Sequence, residues 1–107
     1  METIQLTNDA DKVICYIYKD FLQSRKNGLS KAEARRFPAN YHKQHKSLSK
    51  WSDSDFSDTI LELGQKDLIT IYLGGTFELT NDGIIYMENR FKNGLIEITE
   101  FITKFIP

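Results

Sequence analysis

Between residues 37 and 51 the chain reads FPANYHKQHKSLSKW, placing Lys43, Lys46 and Lys50 among Tyr41, His42, His45 and Trp51 with no acidic residue in the stretch. Ammonium groups contact phosphate oxygens and release the counterions a polyanion holds. Flat rings offer platforms for unpaired bases, each worth roughly 1–3 kcal/mol. Interleaving the two kinds of group suits a nucleic acid, through its backbone and through single strands. Arg25, Lys26, Lys31, Arg35 and Arg36 extend the positive run upstream. The opposing reading is a solvated loop whose Tyr41, Leu48 and Trp51 turn into the core while the lysines keep it hydrated. The residue types fit both readings about equally.

Other chemistries find less support. His42 and His45 lie three apart, but only Cys15 and scattered carboxylates could complete a metal site, so surface histidines and no metal are expected. Asp53, Asp55 and Asp58 lack the glycine and terminal glutamate of an EF-hand loop and suit the first turn of a helix instead. Gly74-Gly75 belongs between strands, and no helix opens from it as a phosphate-binding loop requires. No serine is paired with a histidine and an orienting acid in a known pattern. The expectation is a protein without catalysis or cofactor. Cys15, set among Val13, Ile14, Tyr16 and Ile17, reads as a buried and inert thiol.

The 107 residues, 40% of them apolar and 12% aromatic, are enough for one small domain spanning 1–107. The net charge of -1 hides a segregation. Residues 19–50 carry nine Lys/Arg against two acids, and residues 51–107 carry four against ten. Such a division predicts a basic face unless folding lays the acidic segment alongside it. METIQLTNDADK shows no basic stretch followed by an apolar run, and no stretch is apolar for the length of a membrane span. A cytoplasmic location and no membrane partner are expected.

The elements that must position these groups follow from caps and periodicity. Leu6-Thr7-Asn8-Asp9 opens a first helix with Val13 or Ile14, Ile17, Phe21 and Leu22 on one face, closing at Asn27-Gly28. Ser30-Lys31-Ala32-Glu33 has capping-box spacing and predicts a second helix of about two turns, with Pro38 holding Phe37 out of helical geometry. The lysine-rich stretch has no clear period. Ser52 caps a third helix with Phe56, Ile60, Leu61 and Leu63 as its apolar stripe, ending near Gly64. Leu68–Leu73 and Thr76–Thr80 predict a hairpin turning through two residues, Gly74-Gly75. A fourth helix runs from Thr80 or Asn81 to Asn93-Gly94 with Ile84, Ile85, Met87 and Phe91 inside, and a last helix covers about 95–106. Its stripe of Leu95, Ile98, Ile102 and Phe105 either packs on the first helix or forms a homodimer seam.

This order of three helices, hairpin and helix resembles a winged helix-turn-helix domain over roughly residues 8–92. LITIYLGGTFELTNDGIIYMENRF (68–91) resembles the wing-and-following-helix segment of many small bacterial winged-helix proteins, in which a strand runs into a Leu-Thr-x-x-Gly turn, here Leu79-Thr80-Asn81-Asp82-Gly83. The resemblance implies a mainly helical fold and DNA as partner, with the third helix in the major groove and the wing on the backbone. The third helix departs from that pattern. Asp53, Asp55, Asp58 and Glu62 line it, and the wing turn has no charge. The expected contacts therefore move to residues 25–51: Arg25, Lys26, Lys31, Arg35, Arg36, Lys43, Lys46 and Lys50 on phosphates, with Tyr41, His42 and Trp51 beside them. Alternatives are a transcription regulator that reads a duplex site in the family's way, and a protein-interaction module using the acidic helix and the apolar C-terminal helix.

Overall fold

Each long helix needs partners for the free N–H groups of its first turn, and side-chain oxygens supply several of them. In the computed structural model, which describes residues 3–105, Thr7 accepts from the Ala10 amide at 3.2 Å and opens α1 (Asn8–Lys26). Ser30 and Glu33 close both bonds of the capping box at the head of α2 (Lys31–Ala34). This helix makes a single turn, shorter than its pattern suggested. Phe37, held extended before Pro38, enters β1 (Arg36–Phe37) instead. The aperiodic stretch then folds one short turn of helix, α3 (Tyr41–Gln44), without a side-chain cap.

Ser52 accepts from the Asp55 amide at 3.0 Å and starts α4 (Asp53–Gln65). The hairpin follows as β2 (Ile69–Ile71) and β3 (Phe77–Leu79), joined by residues 72–76 rather than by two residues. Within that loop the Gly75 amide donates to the Tyr72 carbonyl, placing Gly74 at the third position of a β-turn with φ 93°, where a side chain would be strained. Strand β3 lies between β1 and β2 in an antiparallel sheet. Arg36 pairs with Glu78 on one side, and Thr70 pairs with Glu78 on the other. A two-residue strand has no alternation to reveal it; β1 exists because β3 presents an open edge.

Thr80 ties the sheet to the next helix, α5 (Asn81–Arg90), accepting from the Gly83 amide at 2.9 Å and donating to the Asp67 carbonyl at 2.6 Å. A Cβ at Gly83 would lie 2.2 Å from the Leu68 carbonyl oxygen. Only glycine lets α5 approach the Leu68 carbonyl, just before β2, this closely. The helix ends at Arg90, one turn before Asn93-Gly94. Helix α6 (Leu95–Ile102) and a 3-10 turn (Thr103–Phe105) complete the chain, while residue 106 of the expected helix lies outside the described residues.

Helix α1 is the centre of the packing, meeting α2, α4, α5 and α6. Ile14, Ile17, Leu63, Leu68, Leu79, Met87 and Ile98 are fully buried in one contiguous core. The apolar stripe of α6 is spent on this contact: Ile98 and Ile102 are buried, and Leu95, Phe101 and Phe105 pack against the core. Arg90 clamps the arrangement by donating to both carboxylate oxygens of Asp11, while its guanidinium lies 5.0 and 4.9 Å from the Phe91 and Phe101 rings. The pairing with Asp11 raises the Arg90 pKa further above its ordinary value. Two residues assigned to helix interiors lie outside, Leu61 at 54% exposure and Ile85, because each sits next to the buried stripe rather than on it. Among the described residues no helix is long and apolar enough to cross a membrane.

Candidate nucleic-acid interface

A side chain that stacks on a base must present a ring face to solvent, and burial decides which rings of the basic stretch do. Tyr41 does not. It is 7% exposed, its ring meets Phe37 and Phe77 edge-on, and its hydroxyl donates to Asp20 Oδ2 at 2.5 Å. Burial, then the Asp20 carboxylate, raise its pKa above the ordinary tyrosine value. His42 is buried as well, at 5% exposure. It stacks on Phe56 with ring centres 4.7 Å apart, and its Nε2 donates to the Trp51 carbonyl at 2.7 Å. The expectation that these two rings contact a ligand is thus corrected. Each is directed inward with its polar atoms met: the Tyr41 hydroxyl by Asp20, the His42 Nε2 by the Trp51 carbonyl, and the His42 Nδ1 lying 3.6 Å from Asp53.

His42 and His45 are engaged with different partners. His45 accepts from the Ser47 amide at 3.0 Å through Nδ1, places Nε2 3.5 Å from Asp20, and lies against the Tyr16 ring. Among the described residues no group of three or more His, Cys, Asp or Glu side chains is placed to hold a metal ion. Trp51 is half-buried and packs against the core. The turns between His45 and Trp51 are thereby pinned at their far end by His42 on the Trp51 carbonyl and at their middle by the fully buried Leu48.

The cations behave differently. Arg25, Lys26, Lys31, Arg36, Lys43, Lys46 and Lys50 are all exposed, as charge solvation demands. Arg35 is the exception. Its Nε donates to the Leu79 carbonyl at 2.9 Å and its Nη2 to Asn81 Oδ1 at 2.6 Å, so this half-buried guanidinium fastens α2 to the β3–α5 junction. Arg36 pairs with Glu78 at 3.3 Å and Lys43 lies 3.8 Å from Asp53, yet both keep about 70% of their side chains in solvent, where such pairs contribute little.

The exposed cations are not gathered in one hollow. Arg25 and Lys31 line a cavity with Phe21, Asn81 and Glu88; Arg36 lines another beside Tyr72 and Thr76; Lys43 lines a third with Asp53 and Phe56. On α4 the exposed positions include Asp53, Asp55 and Asp58, and Glu62 accepts from the Thr7 amide and hydroxyl at the head of α1. Sequence reasoning missed the exposure of Leu61 on that helix and of Ile71, Tyr72 and Leu73 in the hairpin. The Leu73-Gly74-Gly75 run was their only signal, since an apolar residue beside a glycine turn has little core to enter.

No family model matches the chain, and neither the curated proteins nor the solved structures contain a match to it.

Proposed function

We propose that the chain is a non-enzymatic winged-helix module that binds DNA through its phosphate backbone. The observation that carries this reading is the exposure of seven of the eight cations between Arg25 and Lys50, in a stretch where Glu33 is the single acid and is engaged in the α2 capping box. Exposed Lys and Arg in such excess attract a polyanion whatever its base sequence. The order of α1, α2, β1, α3, α4, hairpin and α5, with β1 joined to the hairpin in one three-stranded sheet, supports the winged-helix reading of the fold. Burial of Tyr41 and His42 takes away the main support for single-strand stacking, and acids on α4 oppose base readout by that helix.

The test is fluorescence anisotropy of labelled duplexes and single strands of unrelated sequence, titrated with the full chain at low and moderate salt. Binding of all duplexes with a steep salt dependence is expected. The Lys43→Ala/Lys46→Ala/Lys50→Ala variant should lower the salt slope by up to about 2.7 and weaken every duplex alike. Absence of binding at low salt, or preference for one duplex site alone, would refute the proposal.

A further inference from the structure

Helices α1 and α5 and the head of α2 enclose a hollow of about 530 Å³, within the size range of small-ligand sites. Its walls follow from helical spacing. Asn81, Ile84, Ile85 and Glu88 share one face of α5, Phe21, Leu22 and Arg25 share one face of α1, and Lys31 opens α2. Phe21 and Ile84 are buried and Leu22 is half-buried, but Ile85 keeps 52% of its surface in solvent. The floor of the hollow is therefore apolar, and part of it is left in water.

The polar lining is divided between two ends. No ion pair among the described residues engages Arg25, Lys31 or Glu88. Arg25 donates through Nη1 to the Leu29 carbonyl at 3.1 Å, which holds the guanidinium beside the α1–α2 connection with its remaining N–H groups to offer. Asn81 accepts from Arg35 through Oδ1 at 2.6 Å, so its amide nitrogen is the group left to donate. Glu88 lies elsewhere. It adjoins Tyr18, whose pKa burial and then the Glu88 charge raise. Tyr18 precedes Arg25 by seven residues on α1, and Glu88 follows Asn81 by seven on α5, so each donor stands roughly 10 Å along its helix from the acidic end.

A molecule that uses the whole hollow carries negative charge at one end of an apolar body. A phosphodiester has the charge without the body. We propose that the hollow between α1, α2 and α5 binds a small aryl or branched-alkyl carboxylate, its carboxylate on Arg25, Lys31 and the Asn81 amide and its body over Leu22 and Ile85. Glu88 repels the carboxylate from the far end and so fixes its direction. The site uses two of the cations assigned to DNA, yet it does not rest on that reading, and its test contains no nucleic acid.

The probe is 3-phenylpropionate, titrated into the isotope-labelled full chain while amide NMR shifts are followed. Saturable shifts confined to residues 21–31 and 81–88 are expected, with Kd on the order of 1 mM. Arg25→Gln should raise Kd about tenfold, and Lys31→Gln and Ile85→Ser about fivefold each. The last two replace exposed side chains and keep the test decisive if loss of the Leu29 contact disturbs Arg25→Gln. Lys66→Gln, which removes one exposed cation outside the hollow, should leave Kd unchanged. Equal shifts from 3-phenylpropanamide would overturn the proposal by removing the role of charge. Equal shifts from acetate or inorganic phosphate would do so by reducing the site to a general anion contact. Equal weakening by Lys66→Gln, or no shifts up to about 10 mM probe, would overturn it as well.

Discussion

The stretch 37–51 and the hairpin loop 72–76 are both connections that carry aromatic and apolar residues, and they dispose of them in opposite ways. Tyr41 and Leu48 are buried in the first, whereas Tyr72 and Leu73 stand in solvent in the second. The difference is made by what lies beneath. Tyr41 finds Asp20 for its hydroxyl and Phe37 and Phe77 for its ring, and His42 finds the Trp51 carbonyl. In the hairpin loop Tyr72 lines an open hollow with Arg36, Thr76 and Glu78 and keeps 49% of its surface in solvent, and Leu73 is fully exposed. An aromatic in a loop is thus a core residue when its polar atom is met inside, and a contact residue when it is not.

The largest test of this contrast removes both rings in turn. Tyr41→Ala should lower unfolding stability by ~3–5 kcal/mol, as aromatic truncations in cores do, and Leu48→Ala by ~2–5 kcal/mol. Tyr72→Ala and Leu73→Ala should each change it by less than ~0.5 kcal/mol, as exposed substitutions do. Urea unfolding of the four variants decides the matter; equal losses at Tyr41 and Tyr72 would break the comparison.

A smaller and sharper effect is expected from Tyr41→Phe, which keeps the ring and removes the donor to Asp20. A loss of ~1–3 kcal/mol should follow, because the carboxylate loses its partner at a half-buried site. Tyr72→Phe at the exposed position should be neutral in the same assay. No loss on Tyr41→Phe would mean that packing alone holds the stretch inward.

The smallest effect concerns alkaline pH. Burial pushes the Cys15 thiol up to about 12 from 9.0, with Asp11 adding to the rise, and burial with Asp20 raises Tyr41 above 10.0. Both groups stay protonated in the fold at pH values where the unfolded chain has released the proton. The folded state then binds more protons, so stability is complete below about pH 9 and declines as pH rises from 9 toward 12. Denaturation midpoints across that range should fall for the natural chain and fall less for Cys15→Ala and Tyr41→Phe. A flat profile would contradict the burial of both groups.

How much of this was legible beforehand varies with the range of the interaction. Thr7, Ser30, Ser52 and Thr80 as helix caps were readable because each bond spans three residues, and local spacing states it outright. Strand β1 and helix α3 were not. The strand depends on β3 some forty residues away, and α3 is a single uncapped turn held by the burial of Tyr41 and His42. Exposure of the lysines also followed from residue type, since a bare ammonium is costly to bury.

The sequence by itself therefore determined where helices begin, where the hairpin lies, that the cations concentrate between residues 25 and 50, and that α4 carries acids. Tertiary structure decided which rings face inward, that Arg35 serves the β3–α5 junction, that α6 spends its stripe on the core, and that Leu61, Ile71, Tyr72 and Leu73 remain in solvent. The first set rests on capping, turn and charge terms that act within a few residues of chain. The second rests on which distant groups offer a burial site and a hydrogen-bond partner, and only the folded chain brings those together.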